Sequence, residues 1–351
     1  MKIFHVVATD REWGGLERSV VDLAAAQAAA GHRVRVAGAP VVLERLADGV
    51  ERVELPMARS RHDPRLLWSL LRAVRSFGPE VVHAHANKAA FLIKILRPFL
   101  PPCARVATVQ NTKRSVRVFR GFDRVIAVSA RAGAALGDIP HEVIWNAIPR
   151  SAPSTRPPAT AVPFRDHPTR PVLAAVGRLV PAKGFDILLP AVKELDASLW
   201  IIGEGPLRAE LEAQAAALGI AERVWFAGFR RDVAELNALA DLLVVSSRHE
   251  GFPFAFVEML HQRRPVVGTR VAGVEELLPE EWLCEREDAP ALAALVRRAL
   301  ALSPAARATA FAPVFERAAR ELALEETMPR IHALYAAALA GRGLATAQNR
   351  A

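Results

Sequence analysis

The sequence predicts an α/β protein of two doubly wound domains facing each other across a cleft. Three observations carry this reading. Short β-type runs alternate with helical patterns along the whole chain, as parallel sheets with crossover helices require. The alternation breaks once, in the proline-rich stretch RSAPSTRPPATAVPFRDHPTRP at 150–171, and then restarts. A length of 351 residues suits two domains of ~150 residues, each with its own core. The expected division is 1–160 and 161–351, with the last helix free to pack back on the first domain.

In order along the chain, KIFHVVAT reads as a strand, followed by the turn at Gly14-Gly15 and the helical stretch LERSVVDLAAAQAAA, closed by Gly31. HRVRVAGA is the next strand. Asp63-Pro64 supplies an N-cap and first helical residue for PRLLWSLLRAVRSF, which Gly78 ends. EVVHAH, RVATVQ and DRVIAVS are strands, and NKAAFLIKIL is a helix between the first two. Beyond the linker the pattern repeats through VLAAVGR, FDILLPAVKEL, SLWIIGEG, PLRAELEAQAAAL, RVWFAGF, DVAELNALA, DLLVVSS, PFAFVEML and RPVVGTRV. Helical sequence fills 290–340, and GRGLATAQNRA reads as a frayed tail.

Composition narrows the class. Hydrophobic residues at 52% with 24% charged fit a soluble globular protein. No run approaches the roughly 18 apolar residues of a membrane span. The first apolar run is too short for a signal peptide. Cys103 and Cys284 form no motif, so a reducing cytosol is the simplest setting. The net charge of +9 is uneven: 23 Lys/Arg against 13 Asp/Glu through Arg150, then 23 against 24. Such asymmetry suggests an anionic partner for the first half. The basic run Lys113-Arg114-Ser115-Val116-Arg117-Val118-Phe119-Arg120 suits docking on anionic lipid. No nucleic-acid recognition signature is found, so nucleic acid is not expected.

Several motifs fall at strand ends, where ligands bind in such sheets. In GRLVPAKG, Arg178 and Lys183 stand five apart after a strand, with glycines on both sides, and can clamp a diphosphate. Gly14-Gly15 lets backbone N–H groups approach an anion at a helix start. Gly203-Glu204-Gly205-Pro206 lacks the third glycine of the dinucleotide fingerprint, with Arg208 in that place, and reads as a structural turn with Pro206 starting a helix. His83 and His85 share one face of a strand, but no partners stand at zinc-like spacing. No Asp-x-Asp pair for magnesium is present either, so neither metal nor cofactor is expected.

The stretch RHEGFPFAFVEML carries two carboxylates eight positions apart. Glu250 falls in a loop after a strand. Pro253 reads as the first helical residue, which puts Glu258 about 7.5 Å along the helix. Its side chain leans back towards the cleft mouth. Buried among Phe254, Phe256, Val257 and Met259, that carboxylate would need hydroxyl donors. Two carboxylates for hydroxyls, with a helix N-terminus between them for phosphate, describe a nucleotide sugar.

This ordered set resembles the glycosyltransferases of family 4, a large retaining group with the GT-B fold. The similarity spans nearly the whole chain. Gly14-Gly15 resembles the family's first-strand glycine turn, and His83-x-His85 its N-domain strand end. Asn146 matches its segment before the linker. GRLVPAKG, IIGEGP and FAGF follow in order, and Glu250 and Glu258 match the E-x7-E signature. The resemblance implies that Arg178 and Lys183 neutralise the leaving diphosphate and Glu250 holds the donor sugar. It implies that Glu258 binds the ribose. Gly14, Gly15, Phe229, Gly251, Phe252 and Pro253 would complete the donor site, with His83, His85, Gln110 and Asn146 near the acceptor or sugar. Metal-independent, retaining transfer follows by the same resemblance, with no enzyme general base and a UDP-sugar favoured over a GDP-sugar. One departure stands out: related sequences often carry a histidine where this chain reads Gln110, a residue that carries no proton at neutral pH.

The function so implied is transfer of a sugar to a lipid-linked or lipopolysaccharide-core acceptor, at the cytoplasmic face of a membrane. Two rivals stand beside it: a nucleotide-sugar 2-epimerase-like isomerase and a non-catalytic nucleotide-sugar-binding subunit. The first would convert donor without acceptor; the second would bind donor without transfer or hydrolysis.

Overall fold

The computed structural model describes residues 1–9, 13–110, 116–150, 158, 162–164 and 170–344. Lys113, Arg114 and Ser115 of the basic run, most of the linker and the tail from 345 lie outside the described residues. The chain divides into two compact units. Unit 1 comprises Met1–Pro149 with Ala323–Ala351, and unit 2 comprises Arg150–Leu322.

Unit 1 has a parallel sheet of seven strands: β1 (Lys2–Val7), β2 (Arg33–Gly38), β3 (Glu51–Glu54), β4 (Val81–His85), β5 (Ala104–Val109), β6 (Arg124–Ala127) and β7 (Glu142–Val143). Their order is β3-β2-β1-β4-β5-β6-β7. Its helices are α1 (Gly15–Ala29), α2 (Pro40–Leu43), α3 (Pro64–Phe77), α4 (Ala86–Leu96) and α5 (Ala130–Ala134). The central strands are buried on both faces, which is why they read as unbroken apolar runs. Phe4, Val6, Val82 and Ala84 pack with α3 and α4 residues such as Leu66, Leu70, Leu92 and Ile93. The opposite face is covered in part by the last helix of the chain.

Unit 2 repeats the plan with β8 (Val172–Val176), β9 (Ser198–Ile202), β10 (Val224–Gly228), β11 (Leu242–Val245), β12 (Val266–Thr269) and β13 (Leu283–Cys284), ordered β10-β9-β8-β11-β12-β13. Its helices are α6 (Phe185–Lys193), α7 (Arg208–Ala217), α8 (Val233–Leu239), α9 (Phe254–His261), α10 (Ala289–Ala301) and α11 (Pro304–Glu321). The final helix, α12 (Leu324–Ala340), belongs to unit 1. There Ile331, Leu334, Tyr335, Ala338 and Leu339 form a stripe at helical spacing that packs on Ile3, Val81, Val106 and Ile126.

Local signals explain most element ends. The Asp63 carboxylate accepts from the Arg65 N–H at 2.8 Å, Pro64 opens α3, and Gly78 closes it in the left-handed region at φ 60°. Two sequence expectations are corrected. Pro206 does not start a helix, since α7 begins at Arg208. Pro253 is the extended N-cap of α9 rather than its first helical residue, with ψ 122°.

Candidate functional site

In unit 2 the chain leaves β8 into Gly177-Arg178, makes a short 3-10 turn at Pro181–Lys183, and enters α6 through Gly184. Gly184 has φ 63°, and a Cβ there would stand 2.1 Å from the Ser246 carbonyl oxygen. The backbone after β8 thus touches the backbone after β11, which only glycine permits. Across that contact Lys183 Nζ donates to Glu250 Oε1 at 2.6 Å, and Ser247 Oγ donates to the same oxygen at 2.6 Å. Ser246 Oγ donates to the Lys183 carbonyl at 2.9 Å. Lys183 and Glu250, which the sequence assigns to diphosphate and sugar respectively, form an ion pair here, with side chains 23% and 10% exposed. Together with Val176, Phe185, Pro253 and Phe256 they line one crevice.

Arg248, which sequence reasoning passed over, braces this pair. Its guanidinium meets both Asp186 carboxylate oxygens at 2.7 and 2.6 Å, reaches Glu287 at 2.5 Å, and donates to the Pro181 carbonyl at 2.8 Å. The Arg248 N–H also donates to the Ala182 carbonyl at 2.8 Å. The loop bearing Glu250 is therefore tied to the turn bearing Lys183. The Arg248 hydrogen bonds hold the Asp186 carboxyl below the usual carboxylate range. Asp186 also stands in the first turn of α6, where a negative charge suits the helix dipole. No motif marked Arg248, although an arginine beside a site glutamate is a signal in itself.

The expectation that Glu258 is buried is corrected. It is half-buried, as is Phe254, while Phe256, Val257 and Met259 are enclosed. Residues 254, 258 and 261 make one stripe at i, i+4 and i+7, and that stripe is the open side of α9. Phe252 and Pro253 are buried and Gly251 half-buried at the helix entry. Phe229, just past β10, is 56% exposed. The Gly203-Glu204-Gly205 segment is a packing device: a Cβ on Gly203 would stand 2.0 Å from the Gly177 oxygen, and one on Gly205 2.4 Å from the Leu179 oxygen. It presses the strand end of β9 against the loop that carries Arg178.

In unit 1, Gly14 is the extended N-cap of α1 and Gly15 its first residue. The Glu17 carboxylate lies 3.3 Å from where a Gly14 Cβ would stand, so an acidic group already occupies that helix start. Asn146 and Gln110, from two separate strand ends, are joined by a 3.3 Å hydrogen bond from Nδ2 to Oε1. His83 and His85 are buried on β4 beside His5 of β1, and the three offer nitrogens within 4.8 Å of one another. That arrangement has the ligand count of a metal site, which strand spacing alone did not foresee. Five of its six nitrogens already have hydrogen-bond partners, and among the described residues no carboxylate joins the cluster. Burial lowers the His5 pKa to about 4, and those of His83 and His85 well below the usual value. Neutral imidazole is also the form that ligates a metal, so the feature that marks this cluster as a hydrogen-bonded one is the partnering of those five nitrogens.

Two parallel doubly wound sheets, with strand-end loops of this kind, define the GT-B class. Residues 13–151 match the family model "Glycosyltransferase Family 4" and residues 170–301 match "Glycosyl transferases group 1". The chain belongs to this glycosyltransferase family. It is 28% identical over 244 residues to the lipopolysaccharide core biosynthesis glycosyltransferase LpsD of Rhizobium meliloti, covering 66% of this chain and 68% of that one. It is 27% identical to the lipopolysaccharide core biosynthesis mannosyltransferase LpsB of the same organism, over 75% of this chain and 76% of that one. Among solved structures, Anabaena Alr3699/HepE in complex with UDP and glucose shares the fold, with a TM-score of 0.78 at 20% identity over 95% of this chain and 99% of that chain.

Proposed function

We propose that this protein transfers a sugar from a nucleotide-sugar donor, with a UDP-sugar favoured, to a lipopolysaccharide-core type acceptor, retaining the anomeric configuration and using no metal. The observation that carries this reading is the Lys183–Glu250 pair at the carboxyl edge of the unit 2 sheet, beside the start of α9. In this reading the arriving diphosphate takes over Lys183 and Arg178, which frees a Glu250 oxygen to accept from the donor sugar's hydroxyls. Glu258, on the open stripe of α9, accepts from the ribose hydroxyls. Exposed Phe229 offers a face to the base. Gly14 and Gly15 are assigned to donor binding, and Gln110 and Asn146, joined by their hydrogen bond, to the acceptor or sugar. The relatives LpsD and LpsB support the acceptor class by their names, and the UDP of the HepE complex supports the donor class.

The protein also meets an anionic membrane surface in this reading. Among the described residues no helix is long and apolar enough to cross a membrane. Trp68, 64% exposed, shares one stripe of α3 with Arg72 and Arg75, and Arg75 donates to the carbonyl of Phe99, itself 56% exposed. Aromatic rings among arginines suit the interface of an anionic bilayer. The deciding experiment is a panel of UDP-, GDP- and ADP-sugars scored by thermal shift and nucleotide release, with and without a truncated lipopolysaccharide core. Silence towards every donor overturns the transferase reading. Conversion of donor without release would favour the isomerase.

A further inference from the structure

We propose that Gln27, held by Tyr335 of α12, sets the tautomers of a buried three-histidine chain so that His85 presents a bare Nδ1 to a substrate hydroxyl. The chain begins at the protein's single tyrosine. Gln27 Nε2 donates to the Tyr335 hydroxyl at 3.5 Å, and Gln27 Oε1 faces His5 Nε2 at 2.8 Å. An oxygen at that place requires His5 to carry its proton on Nε2, so His5 Nδ1 is an acceptor. His5 Nδ1 stands 2.9 Å from His85 Nε2, which must then be the protonated nitrogen of His85. His85 Nδ1 is left with a lone pair, and it is buried without a partner. On the other branch the Tyr335 hydroxyl donates to His83 Nδ1 at 2.6 Å, and His83 Nε2 donates to Thr108 Oγ1 at 2.7 Å. Burial keeps all three rings neutral.

The opposite polarity, with the Gln27 amide turned over, also links every ring. It would leave a buried N–H on His85 instead of a lone pair, and an orphaned donor is the rarer and costlier of the two. His85 ends β4 in register with Val7 of β1. Thr9, two residues beyond Val7, has a hydroxyl that is likewise buried without a partner. An acceptor and a hydroxyl left uncommitted at adjoining strand ends fit a ligand that both donates and accepts, which is a sugar hydroxyl. Tyr335 and Gln27 are positioning residues in this scheme; they touch no substrate. The assignment of the hydroxyl to the acceptor sugar rests on the transferase reading.

The test is nitrogen NMR of the full chain with labelled imidazoles, assigned by difference with His85→Asn, together with zinc analysis of the purified protein. The expected result is a neutral His85 with protonated Nε2 and bare Nδ1. Tyr335→Phe removes the partner that orients the Gln27 amide. It is expected to mix the His85 tautomers and lower core-dependent nucleotide release about tenfold, with the donor KM unchanged. His85→Asn, which keeps an acceptor near the Nδ1 position, should retain more of that release than His85→Leu. An imidazolium or Nδ1-protonated His85 in the native protein overturns the proposal. So do a stoichiometric zinc and an unchanged tautomer in Tyr335→Phe. The tautomer readout needs no turnover, so if no donor reacts the transferase reading fails by itself and the relay is still decided.

Discussion

Arg248 holds both carboxylate oxygens of Asp186, and through that grip the loop of Glu250 is fixed against the turn of Lys183. A lysine cannot copy the two-pronged contact. Arg248→Lys is therefore expected to lower donor-dependent nucleotide release by on the order of tenfold or more, because small displacements of charged site groups are costly. Steady-state release with the best donor of the panel measures it; wild-type rates would show that the brace is dispensable.

Lys183 and Glu250 share one short hydrogen bond yet have different proposed partners. Lys183→Ala should cost about 10²–10³ in kcat, the usual effect of removing one electrostatic stabiliser. Glu250→Gln should mainly slow turnover, whereas Glu258→Gln should weaken nucleotide binding. Calorimetric titration of UDP against each variant separates these effects. Equal, wild-type-like behaviour of the two glutamine variants would mean that the pair is structural only.

Much of this was legible in the sequence, for identifiable reasons. Helix α3 announced both ends, because Asp63, Pro64 and Gly78 act through local backbone geometry. β3, with the sequence ERVE at a sheet edge, gave no alternating apolar signal and was not foreseen. The Glu250 and Glu258 positions came from spacing, but their environments did not. Half-exposure of Glu258 depends on which side of α9 meets the core, and the Lys183 contact spans 67 residues of chain. The link from Tyr335 to His83 spans 252 residues, beyond any local pattern.

Gly203 has φ 146° and no room for a Cβ beside the Gly177 carbonyl. Gly203→Ala should destabilise unit 2 by about 2–4 kcal/mol, from backbone strain plus a forced separation of the two loops. Denaturant melts would read this directly, and a loss below about 1 kcal/mol would contradict the close approach.

Acid should loosen unit 1 through its neutral histidines. His5 titrates near 4 in the fold and near 6.5 when unfolded. Between those values the unfolded chain binds more protons, so stability falls as pH drops through about 6.5 to 4 and is unaffected above. For His5 alone the loss amounts to about 3 kcal/mol below pH ~4. His83 and His85, shifted the same way, add to it. Melting curves that stay flat over this range would refute the neutral cluster.

Trp68 and Phe99 should anchor the protein on anionic vesicles. Trp68→Ala with Phe99→Ala is expected to weaken binding to phosphatidylglycerol vesicles severalfold, and salt should weaken it further. Unchanged vesicle sedimentation would remove this surface from consideration.

The return of α12 to unit 1 bears on how the protein is made. Synthesis runs from the amino end, so the strands that bear Ile3, Val81 and Val106 emerge long before the helix that covers them. Until the last turn of α12 leaves the ribosome, α1 packs on that sheet face, but the part that α12 covers stays open and invites chaperones or a second nascent chain. The first unit to be translated is thus the last to finish folding.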